Sequence, residues 1–517
     1  MKKIIKKIFA LITVAVLITT VFSSCEKQDV LLHDESEDFY NTADNPYYDN
    51  PENPELNTSN GDIIYFDDIL SSNSNTNNNN SSDFKNSNSG YYNGSSFVIS
   101  NNSGGSNLNS SLKSSSGNGS AIISSKPSNG NTGGNTGNTG NTGGNNSGCY
   151  NPTYYASNTK AIWLSQWNLE SVFNASKSAS QFTSKISAIM QKIKNYGFNT
   201  VVVQLRPNGD SFYPSSYYPW SKFCSGTVGK APGYDPTAIM VNEAHKRGLS
   251  FHGWFNPLRL AATSVMAATP NNYLTKQWYN DKNKKGTYVV LSGNYWYLNP
   301  AYAETRNLII NGAKEIVSKY KVDALHIDDY FYPTTAASFD SAAYKTYGAG
   351  KKLEDFRRNN INILVKDIYS AVKSKNSKIK FGISPAGNIN NNYYDLYADV
   401  SLWGRSSGYM DYVMPQIYFG YKHKTLDYKK CLNQWKALVT NGNISLIVGL
   451  GAYKIGLASD GGSDEWKTDT TILKRQVQDA KSMLGSKYRG FCIFDYDTFF
   501  STNDLNTKQR DNMKSVI

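Results

Sequence analysis

The chain has 517 residues, of which 39% are hydrophobic and only 18% are charged, and its net charge is +12. Most of residues 71–148 are Asn, Ser, Gly and Thr, which bury too little apolar surface to offset the entropy of ordering. The length by itself allows two or three domains, but the composition leaves only about 360 residues, from Lys160 onward, that are able to fold. This excludes folded domains along the whole length and favours one domain of the size of a barrel.

The first 24 residues have the pattern of an export signal. Four lysines among the first seven residues precede an apolar run, residues 8–22, which is too short to span a bilayer comfortably. Two serines then precede Cys25. We interpret residues 1–24 as a lipoprotein signal peptide and Cys25 as lipidated, the alternative being an ordinary cleavage site that leaves Cys25 unmodified. The protein is then expected in the bacterial cell envelope, lipid-anchored to a membrane and facing the periplasm or the exterior.

Residues 25–150 predict a disordered tether. No helical or strand period persists in this segment, and the Gly-Asn-Thr-Gly repeats after Ser128 are typical of a flexible linker. A random coil of roughly 110 residues reaches on the order of 60 Å, which lets an anchored domain search a polymer mesh. The tether therefore favours an immobile, extended target.

Charge separates the tether from the rest of the chain. Residues 1–150 contain 8 lysines and 14 acidic residues, a net charge of −6, which leaves +18 on residues 151–517. A basic exported domain suits an anionic partner such as a cell-wall polymer, and a solvated surface without a particular partner is an equal alternative. We expect no nucleic-acid partner, because nucleic acid is scarce outside the cytoplasm.

Four further cysteines are Cys149, Cys224, Cys431 and Cys492. Export permits disulfides, and the sequence leaves all three pairings of four cysteines open. Their spacing resembles no metal site, and we expect no metal and no cofactor.

Residues 151–517 alternate strand-like apolar runs with amphipathic helical stretches. Runs of β-branched residues bounded by Gly, Asn and Pro are typical of parallel strands buried on both faces. Eight such βα repeats predict an α/β fold, a (β/α)₈ TIM barrel. The barrel is favoured over an open doubly wound sheet, because no glycine-rich nucleotide motif follows any strand. The predicted strands are Ala161–Ser165, Thr200–Leu205, Ser250–Phe255, Ala324–Ile327, Lys380–Ser384, Tyr412–Ile417, Ser445–Leu450 and Gly490–Phe494; the helices include Ala179–Asn195, Asp235–Arg247, Glu304–Tyr320, Asp355–Ser374 and Thr470–Leu484.

Polar residues follow at least seven of the predicted strands. In a barrel the carboxyl ends of all strands meet at one face, where active sites lie, so these residues are expected to outline one bowl. Tryptophans near the same loops are typical of a carbohydrate site, although packing is the alternative for each one. The candidate substrate-binding residues are Arg206, Asp210, Asn256, Arg259, Tyr330, Ser384, Asn388, Trp403, Gln416, Tyr418, Tyr453 and Asp495; the tryptophans are Trp163, Trp167, Trp220, Trp254, Trp296 and Trp403.

Asp328 and Asp329, adjacent at the end of the fourth strand, are the predicted catalytic residues. Like-charge repulsion keeps one of two neighbouring carboxyl groups protonated near neutral pH, as an acid catalyst of glycoside hydrolysis requires. Strand alternation counted from His326 predicts that Asp328 points inward and Asp329 lies at the rim. The alternative is structural: one aspartate caps the next segment and the other pairs with Arg206 or Arg259.

Two glycosidase mechanisms fit these residues. In one, a more distant carboxylate such as Asp210 or Asp495 is the base or nucleophile; in the other, the 2-acetamido group of the substrate attacks while the aspartate pair polarises it and protonates the leaving group. A metal-dependent deacetylase using His252, His326 and Asp328 is a rival enzyme, but a buried, hydrogen-bonded His326 is favoured. A glycan-binding protein without turnover is the rival from another class.

Five segments resemble one family, the bacterial glycosyl-hydrolase-like lipoproteins related to the divisome-localised glycosyl hydrolase of the cell wall. They are, in chain order, VVVQLRPNGDSFYPSSYYPWS, EAHKRGLSFHGWFNPLR, VDALHIDDYFYPTT, FGISPAGN and DYVMPQIYFG, and the resemblance covers essentially all of residues 160–500. The resemblance implies a TIM barrel and, as in the characterised relative, cleavage of peptidoglycan glycan strands that lack stem peptides.

Carried over by motif, the resemblance assigns the acidic pair to Asp328 and Asp329. Relatives tend to carry an aromatic residue and a longer insertion where this chain has Ala386-Gly387-Asn388. The groove-lining positions that it implies are Arg206, Asp210, Asn256, Arg259, Gln416 and Tyr418.

Overall fold

The structure, a computed structural model, describes residues 150–517. The predicted signal peptide, the lipidation site Cys25, nearly all of the predicted tether and Cys149 lie outside the described residues. Within residues 150–517, no helix combines the length and the apolar character that a membrane crossing requires.

Eight parallel strands close into a barrel, which confirms the predicted fold. Around the barrel their order is β1, β11, β10, β9, β8, β7, β3 and β2. The strands of the described residues are β1 (Thr159–Leu164), β2 (Thr200–Arg206), β3 (Ser250–Phe255), β4 (Arg259–Ala262), β5 (Val289–Ser292), β6 (Tyr295–Leu298), β7 (Ala324–Ile327), β8 (Lys380–Ile383), β9 (Tyr412–Val413), β10 (Ser445–Gly451) and β11 (Tyr488–Phe494).

Helices surround the barrel, and all five that the sequence predicted are present within a few residues of their expected ends. The α-helices are α1 (Gln166–Asn174), α2 (Ala179–Tyr196), α3 (Lys222–Ser225), α4 (Pro236–His245), α5 (Thr263–Ala268), α6 (Leu274–Asn280), α7 (Ala303–Lys319), α8 (Ser341–Tyr347), α9 (Leu353–Lys375), α10 (Val400–Arg405), α11 (Tyr428–Leu438), α12 (Glu465–Thr468), α13 (Ile472–Leu484), α14 (Tyr496–Phe499) and α15 (Asp504–Met513). A π-helical turn, Asn391–Asp395, follows β8.

The local sequence explains why these elements form. All seven residues of β2 are buried, as expected of a strand between other strands and covering helices. Helix α13 buries one apolar stripe that includes Leu473, Val477 and Leu484. The strand β9 is much shorter than the predicted Tyr412–Ile417, because Pro415 lacks the N–H that a longer ladder needs.

A three-stranded antiparallel sheet, in the order β4, β6, β5, is inserted after β3. Together with α5 and α6 it occupies the loop between the third barrel strand and α7, at the carboxyl end of the barrel. The sequence prediction missed this sheet because each of its strands has only four residues, too few for a clear alternating pattern.

The barrel interior contains a buried chain of polar rings. The Tyr412 hydroxyl lies 3.0 Å from His252 Nδ1 and 3.1 Å from His326 Nδ1. Burial lowers the pKa of His252 to about 4, and it also lowers the pKa of His326 well below its usual value. The expected buried, hydrogen-bonded His326 is therefore confirmed, with a neutral imidazole.

The amino-terminal end of the barrel is held by Asp323, the residue before β7, which is completely buried. One of its carboxylate oxygens accepts from the Tyr150 hydroxyl at 2.5 Å and from Thr153 N at 2.6 Å. The other accepts from Phe251 N at 2.7 Å and lies 2.8 Å from His245 Nε2. Asp323 thus joins the start of the described chain to the barrel.

The cysteines in the described part of the chain do not pair with one another. Cys224, Cys431 and Cys492 are all buried and are in no disulfide. Burial raises the pKa of the Cys224 and Cys492 thiols. The disulfide pairings left open by the sequence are thus not formed among these three residues.

Candidate active site

A cavity of about 1620 Å³ opens to solvent at the carboxyl ends of the barrel strands. Residues that end or follow all eight barrel strands line it, as expected for the active-site face of a TIM barrel. Of the residues predicted from the sequence, those that line the cavity are Asn256, Arg259, Asp328, Asp329, Tyr330, Ser384, Asn388, Gln416, Tyr418 and Tyr453.

The two predicted catalytic aspartates lie side by side in this cavity but at different depths. Asp328 is only 4% exposed, and its Oδ2 accepts a hydrogen bond of 2.9 Å from the Trp254 indole N–H. Asp329 is half-buried, and the side chain of Gln416 hydrogen-bonds to it. Asp328 therefore forms part of the cavity floor, whereas Asp329 faces the open part of the cavity.

Burial is the main cause of the unusual titration of the pair. It raises the pKa of Asp328 well above its usual value, and the neighbouring charge of Asp329 raises it further. Burial also raises the pKa of Asp329 to about 6, against the opposing effects of the Gln416 hydrogen bond and the Arg259 charge. The pair consequently holds a proton at a pH where ordinary carboxyl groups are ionised.

A chain of amide side chains runs along the ends of the first three barrel strands. Gln204 Oε1 accepts from Gln166 N at 2.8 Å, and Gln204 Nε2 donates to Asn256 Oδ1 at 3.3 Å. Asn208 Nδ2 in turn donates to Gln166 Oε1 at 3.4 Å. These amides form a polar wall able to exchange hydrogen bonds with hydroxyl groups.

Aromatic rings cover the floor of the cavity beside the acids. The Trp163 ring meets Phe494 edge-on with centroids 5.8 Å apart, and Tyr418 stacks on Phe494 at the same centroid distance. Tyr453 meets the Tyr418 ring edge-on at 5.6 Å. This aromatic floor, defined here as Trp163, Tyr418, Tyr453 and Phe494, gives the cavity an apolar side opposite its amide wall.

The last residue of β2, Arg206, does not line the cavity, which corrects its predicted role in substrate binding. The pairing of β2 with β3 shifts between Gln204 and Arg206, so a bulge turns Gln204 inward and Arg206 away from the bowl. Its guanidinium donates to the carbonyls of Asn256 and Pro257 and lies 4.4 Å from the Tyr218 ring centroid. Arg206 therefore fixes the loop after β3 from behind.

Asp210, Asp495 and Trp403 also lie outside the cavity lining, contrary to the prediction. Asp210 is buried and accepts from Asn208 N at 3.2 Å. Asp495 caps α14 by accepting from Thr498 N at 3.2 Å. Trp403 is fully buried in α10 and donates to Asn362 Oδ1. Each side chain therefore serves the local structure, and Asp495 does so as a helix cap.

The six tryptophans divide into two groups. Trp163, Trp167 and Trp254 line the cavity. Trp296 instead packs edge-on against Tyr279 on the inserted sheet, with ring centroids 5.0 Å apart. Trp220 and Trp403 are likewise absent from the cavity lining. Only three of the six tryptophans therefore have a position from which they could contact a sugar.

Several lining residues were missed in the sequence. Tyr297 belongs to the inserted sheet, and Lys454 follows Tyr453 after β10. Gly387, in the segment that departs from the relatives, lies against β9: a Cβ there would meet Gln416 O at 2.2 Å. Only glycine allows this close approach, which brings the chain after β8 into the cavity wall.

The alternative metal site is not assembled. His252 and His326 both direct Nδ1 to Tyr412 inside the barrel, and Asp328 accepts from Trp254. Within residues 150–517, no cluster of three or more His, Cys, Asp or Glu side chains has the arrangement of a metal site.

Comparisons with known proteins agree with this geometry. The sequence profile of a family described as Glycosyl hydrolase-like 10 matches residues 158–467. The chain is 37% identical over 317 residues to glycosyl hydrolase YngK of Bacillus subtilis, aligning 57% of this chain with 61% of that protein. It is 32% identical over 324 residues to glycosyl hydrolase DigH of Escherichia coli K12, aligning 57% of this chain with 74% of that one.

Among solved structures, the PgaB (BpsB) glycoside hydrolase domain of Bordetella bronchiseptica matches with a TM-score of 0.47 and 13% identity. The match covers 69% of this chain and 99% of that domain.

Proposed function

The chain belongs to the glycosyl hydrolase-like 10 family, and from that premise we propose that it cleaves an N-acetylhexosamine polymer of the cell-wall type by substrate-assisted hydrolysis. The family membership confirms the resemblance noted in the sequence and supports a glycosidase. The chain spans 61% of the length of its Bacillus relative.

One observation carries the proposal: Asp328 and Asp329 are the only carboxyl residues among those lining the cavity in the described part of the chain. A mechanism with two separated carboxylates needs the second group about 5–9.5 Å from the first, across the substrate. The two candidates for that second group, Asp210 and Asp495, are buried in local hydrogen bonds elsewhere. An adjacent pair suits a reaction in which the substrate supplies the nucleophile.

The different depths of the two acids suggest their roles. Asp328, fixed by the Trp254 N–H, would accept a hydrogen bond from the N–H of the substrate's 2-acetamido group. This hydrogen bond would turn the carbonyl oxygen of the acetamido group toward the anomeric carbon. Asp329 would protonate the glycosidic oxygen as the bond from that oxygen to the anomeric carbon breaks and the acetamido oxygen forms its bond. Water then opens the cyclic intermediate and returns a proton to Asp329.

The aromatic floor supports an N-acetylated substrate. Trp163 and Tyr418 belong to the same buried cluster as Trp254, whose N–H holds Asp328. An acetamido group placed beside Asp328 would bring its methyl group against these rings, which favours an apolar group of that size.

We further propose that the polymer is peptidoglycan glycan or a related cell-wall strand, reached by an enzyme lipid-anchored through Cys25. The export pattern, the long polar segment after it and the net charge of +18 on residues 151–517 support this. An alternative within the same chemistry is another N-acetylated exopolysaccharide.

Digestion of purified glycan strands without stem peptides, followed by mass analysis, tests the proposal. Wild type should release fragments with reducing ends that retain every acetyl group, and Asp329→Asn should release almost none. Asp281→Asn, an exposed acid on the inserted sheet segment, is the matched control and should digest like wild type.

Other products would select other functions. Anhydro ends would contradict hydrolysis, and released acetate that EDTA abolishes would indicate the deacetylase. Binding without any release would favour the glycan-binding protein. Equal digestion of strands with and without N-acetyl groups would contradict substrate assistance while leaving the glycosidase intact.

A further inference from the structure

Arg259 is held between two tyrosine rings at the edge of the cavity. Its guanidinium carbon lies 4.5 Å from the centroid of Tyr330 and 5.3 Å from that of Tyr295. Its Nε donates to Asn208 Oδ1 at 2.9 Å. Arg259 is 5% exposed, whereas both tyrosines are half-buried and keep part of their surface open. Such packing fixes the two rings in place without covering them.

The inserted sheet places Tyr295 on the face that continues the cavity wall. Arg259 on β4 pairs with Tyr297 on β6, and both line the cavity. Tyr295 lies two residues before Tyr297 on the same strand, so its side chain emerges on the same face. Its partner on β5, Ser292, extends that face away from the acids. Tyr295 is therefore the next aromatic ring along the wall, beyond the residues that line the cavity.

The open side of the cavity favours an occupant that continues along this wall. The cavity opens to solvent at the carboxyl ends of the barrel strands, so a ligand bound in it is able to extend beyond it. A polymer chain with one sugar above Asp328 and Asp329 must leave the cavity on some side. The wall from Tyr330 through Arg259 to Tyr295 offers ring faces and hydrogen-bonding edges, which suit the apolar faces and hydroxyl groups of a pyranose.

We propose that Tyr295, held by Arg259, forms an outlying subsite that stacks on a sugar unit of the same polymer beyond the cleaved bond. The subsite deepens the proposed function and rests on it, since its occupant is the polymer that Asp328 and Asp329 cleave. It gives the enzyme a preference for long strands over short oligosaccharides. Tyr295 is accordingly a specificity residue rather than a catalytic one.

The test compares a long glycan strand with a short oligosaccharide that fills only the central cavity. Tyr295→Ala should raise KM for the strand about two- to twelvefold, the loss expected for one stacking contact of about 0.5–1.5 kcal/mol, and leave kcat/KM for the short substrate unchanged. Tyr295→Phe should behave like wild type, because it retains the ring. Tyr347→Ala is the control, since Tyr347 is a 52% exposed tyrosine on α8 and not a lining residue.

A purely structural role for Tyr295 would show differently. If Tyr295 only packed against Arg259, its loss would weaken cleavage of both substrates equally and lower the melting temperature, which would overturn the subsite. An unchanged KM for the strand would also overturn it.

A binding measurement separates this proposal from the proposed function. In an Asp329→Asn background, strand binding is followed by sedimentation with and without Tyr295→Ala. Weaker binding on loss of Tyr295 supports the subsite even if the wild type cleaves nothing, whereas equal binding by both variants contradicts it whatever the turnover.

Discussion

The strand β7 has a buried aspartate at each end, and the two are stabilised in opposite ways. Asp323, before the strand, is surrounded by Tyr150, Thr153 N, Phe251 N and His245, all within 2.8 Å. Asp328, after the strand, accepts one short hydrogen bond, from Trp254, and has a second carboxyl group as its neighbour. Burial is nearly the same, but the number of donors differs.

This difference distinguishes a structural acid from a reactive one. Several donors replace the hydration that Asp323 loses on burial, so this side chain acts as a structural link. With few donors and a like charge nearby, the pair formed by Asp328 and Asp329 holds a proton to higher pH, and Asp329 is then able to transfer it. The amino-terminal end of the barrel is thus built for stability, and the carboxyl-terminal end for proton transfer.

The largest expected effect is a loss of activity when Asp329, at the carboxyl-terminal end of the barrel, is replaced. Asp329→Asn should lower kcat by about 10²–10⁴, because the proton donor is lost. Since ionised Asp329 is disfavoured by burial, the same change should leave the free energy of unfolding at pH 7 equal or higher. Steady-state kinetics and urea unfolding on the same samples check both results. A large loss of stability in Asp329→Asn would mean that this acid is structural.

The corresponding change at the amino-terminal end of β7 is Asp323→Asn. The amide cannot accept from all four partners and turns an N–H toward donors, so we expect a loss of about 3 kcal/mol in the free energy of unfolding. The kcat of the folded fraction should stay within about twofold of wild type. Urea unfolding followed by circular dichroism, with kinetics well below the transition, measures both. A fall in kcat like that of Asp329→Asn would remove the distinction between the two ends.

The pH dependence sharpens the comparison further. Because the pKa of Asp329 is raised to about 6, kcat/KM should fall as the pH rises through about 6 and the donor loses its proton. Removing the Trp254 donor by Trp254→Phe should raise the pKa of Asp328, because the N–H favours its ionised form. The coupled pair then loses its last proton at higher pH, and the fall in kcat/KM should move to higher pH with it.

The stability of the wild type should follow the same protonation. A folded-state pKa above the unfolded value favours the protonated folded protein, so the contribution is present below about pH 4 and is lost as the pH rises to about 6. Asp329→Asn should remove this dependence. For the kinetics, a fall in kcat/KM that occurs at the same pH in Trp254→Phe as in wild type would contradict the role given to the indole N–H.

The smallest effect is expected at Tyr150. Tyr150→Phe removes one of the four partners of Asp323 and should cost about 1 kcal/mol of unfolding free energy, with kinetics unchanged. A loss as large as that of Asp323→Asn would show that the single hydroxyl, rather than the whole set of donors, stabilises this end.

Most of the fold was predictable because the barrel repeats one pattern eight times. Runs such as Ser250–Phe255 and Ala324–Ile327 match the observed strands residue for residue. The inserted sheet was missed because its four-residue strands lie among Asn, Gly and Thr, where no period builds up. It matters for function, since it supplies Arg259, Tyr295 and Tyr297.

The site was predictable where strand alternation holds. His326 and Asp328 share a face of β7 and its extension, and Trp254 and Asn256 both line the cavity after β3. The prediction that Arg206 binds substrate was wrong, because the bulge after Gln204 changes which side chains face inward. A bulge depends on the neighbouring strand, so the sequence of β2 alone does not reveal it.

By itself, the sequence determined the eight-stranded barrel, the separation between a polar, acidic first part and a basic folded part, and the adjacent acids at the end of the fourth barrel strand. These follow from composition and from the two-residue period of strands, which are properties of neighbouring residues. Only the tertiary structure decided that Arg206, Asp210 and Asp495 lie outside the cavity lining, and that Trp254 is the donor to Asp328. Those outcomes depend on contacts between strands distant in the chain, through which burial and hydrogen bonding set the pKa of each carboxyl group.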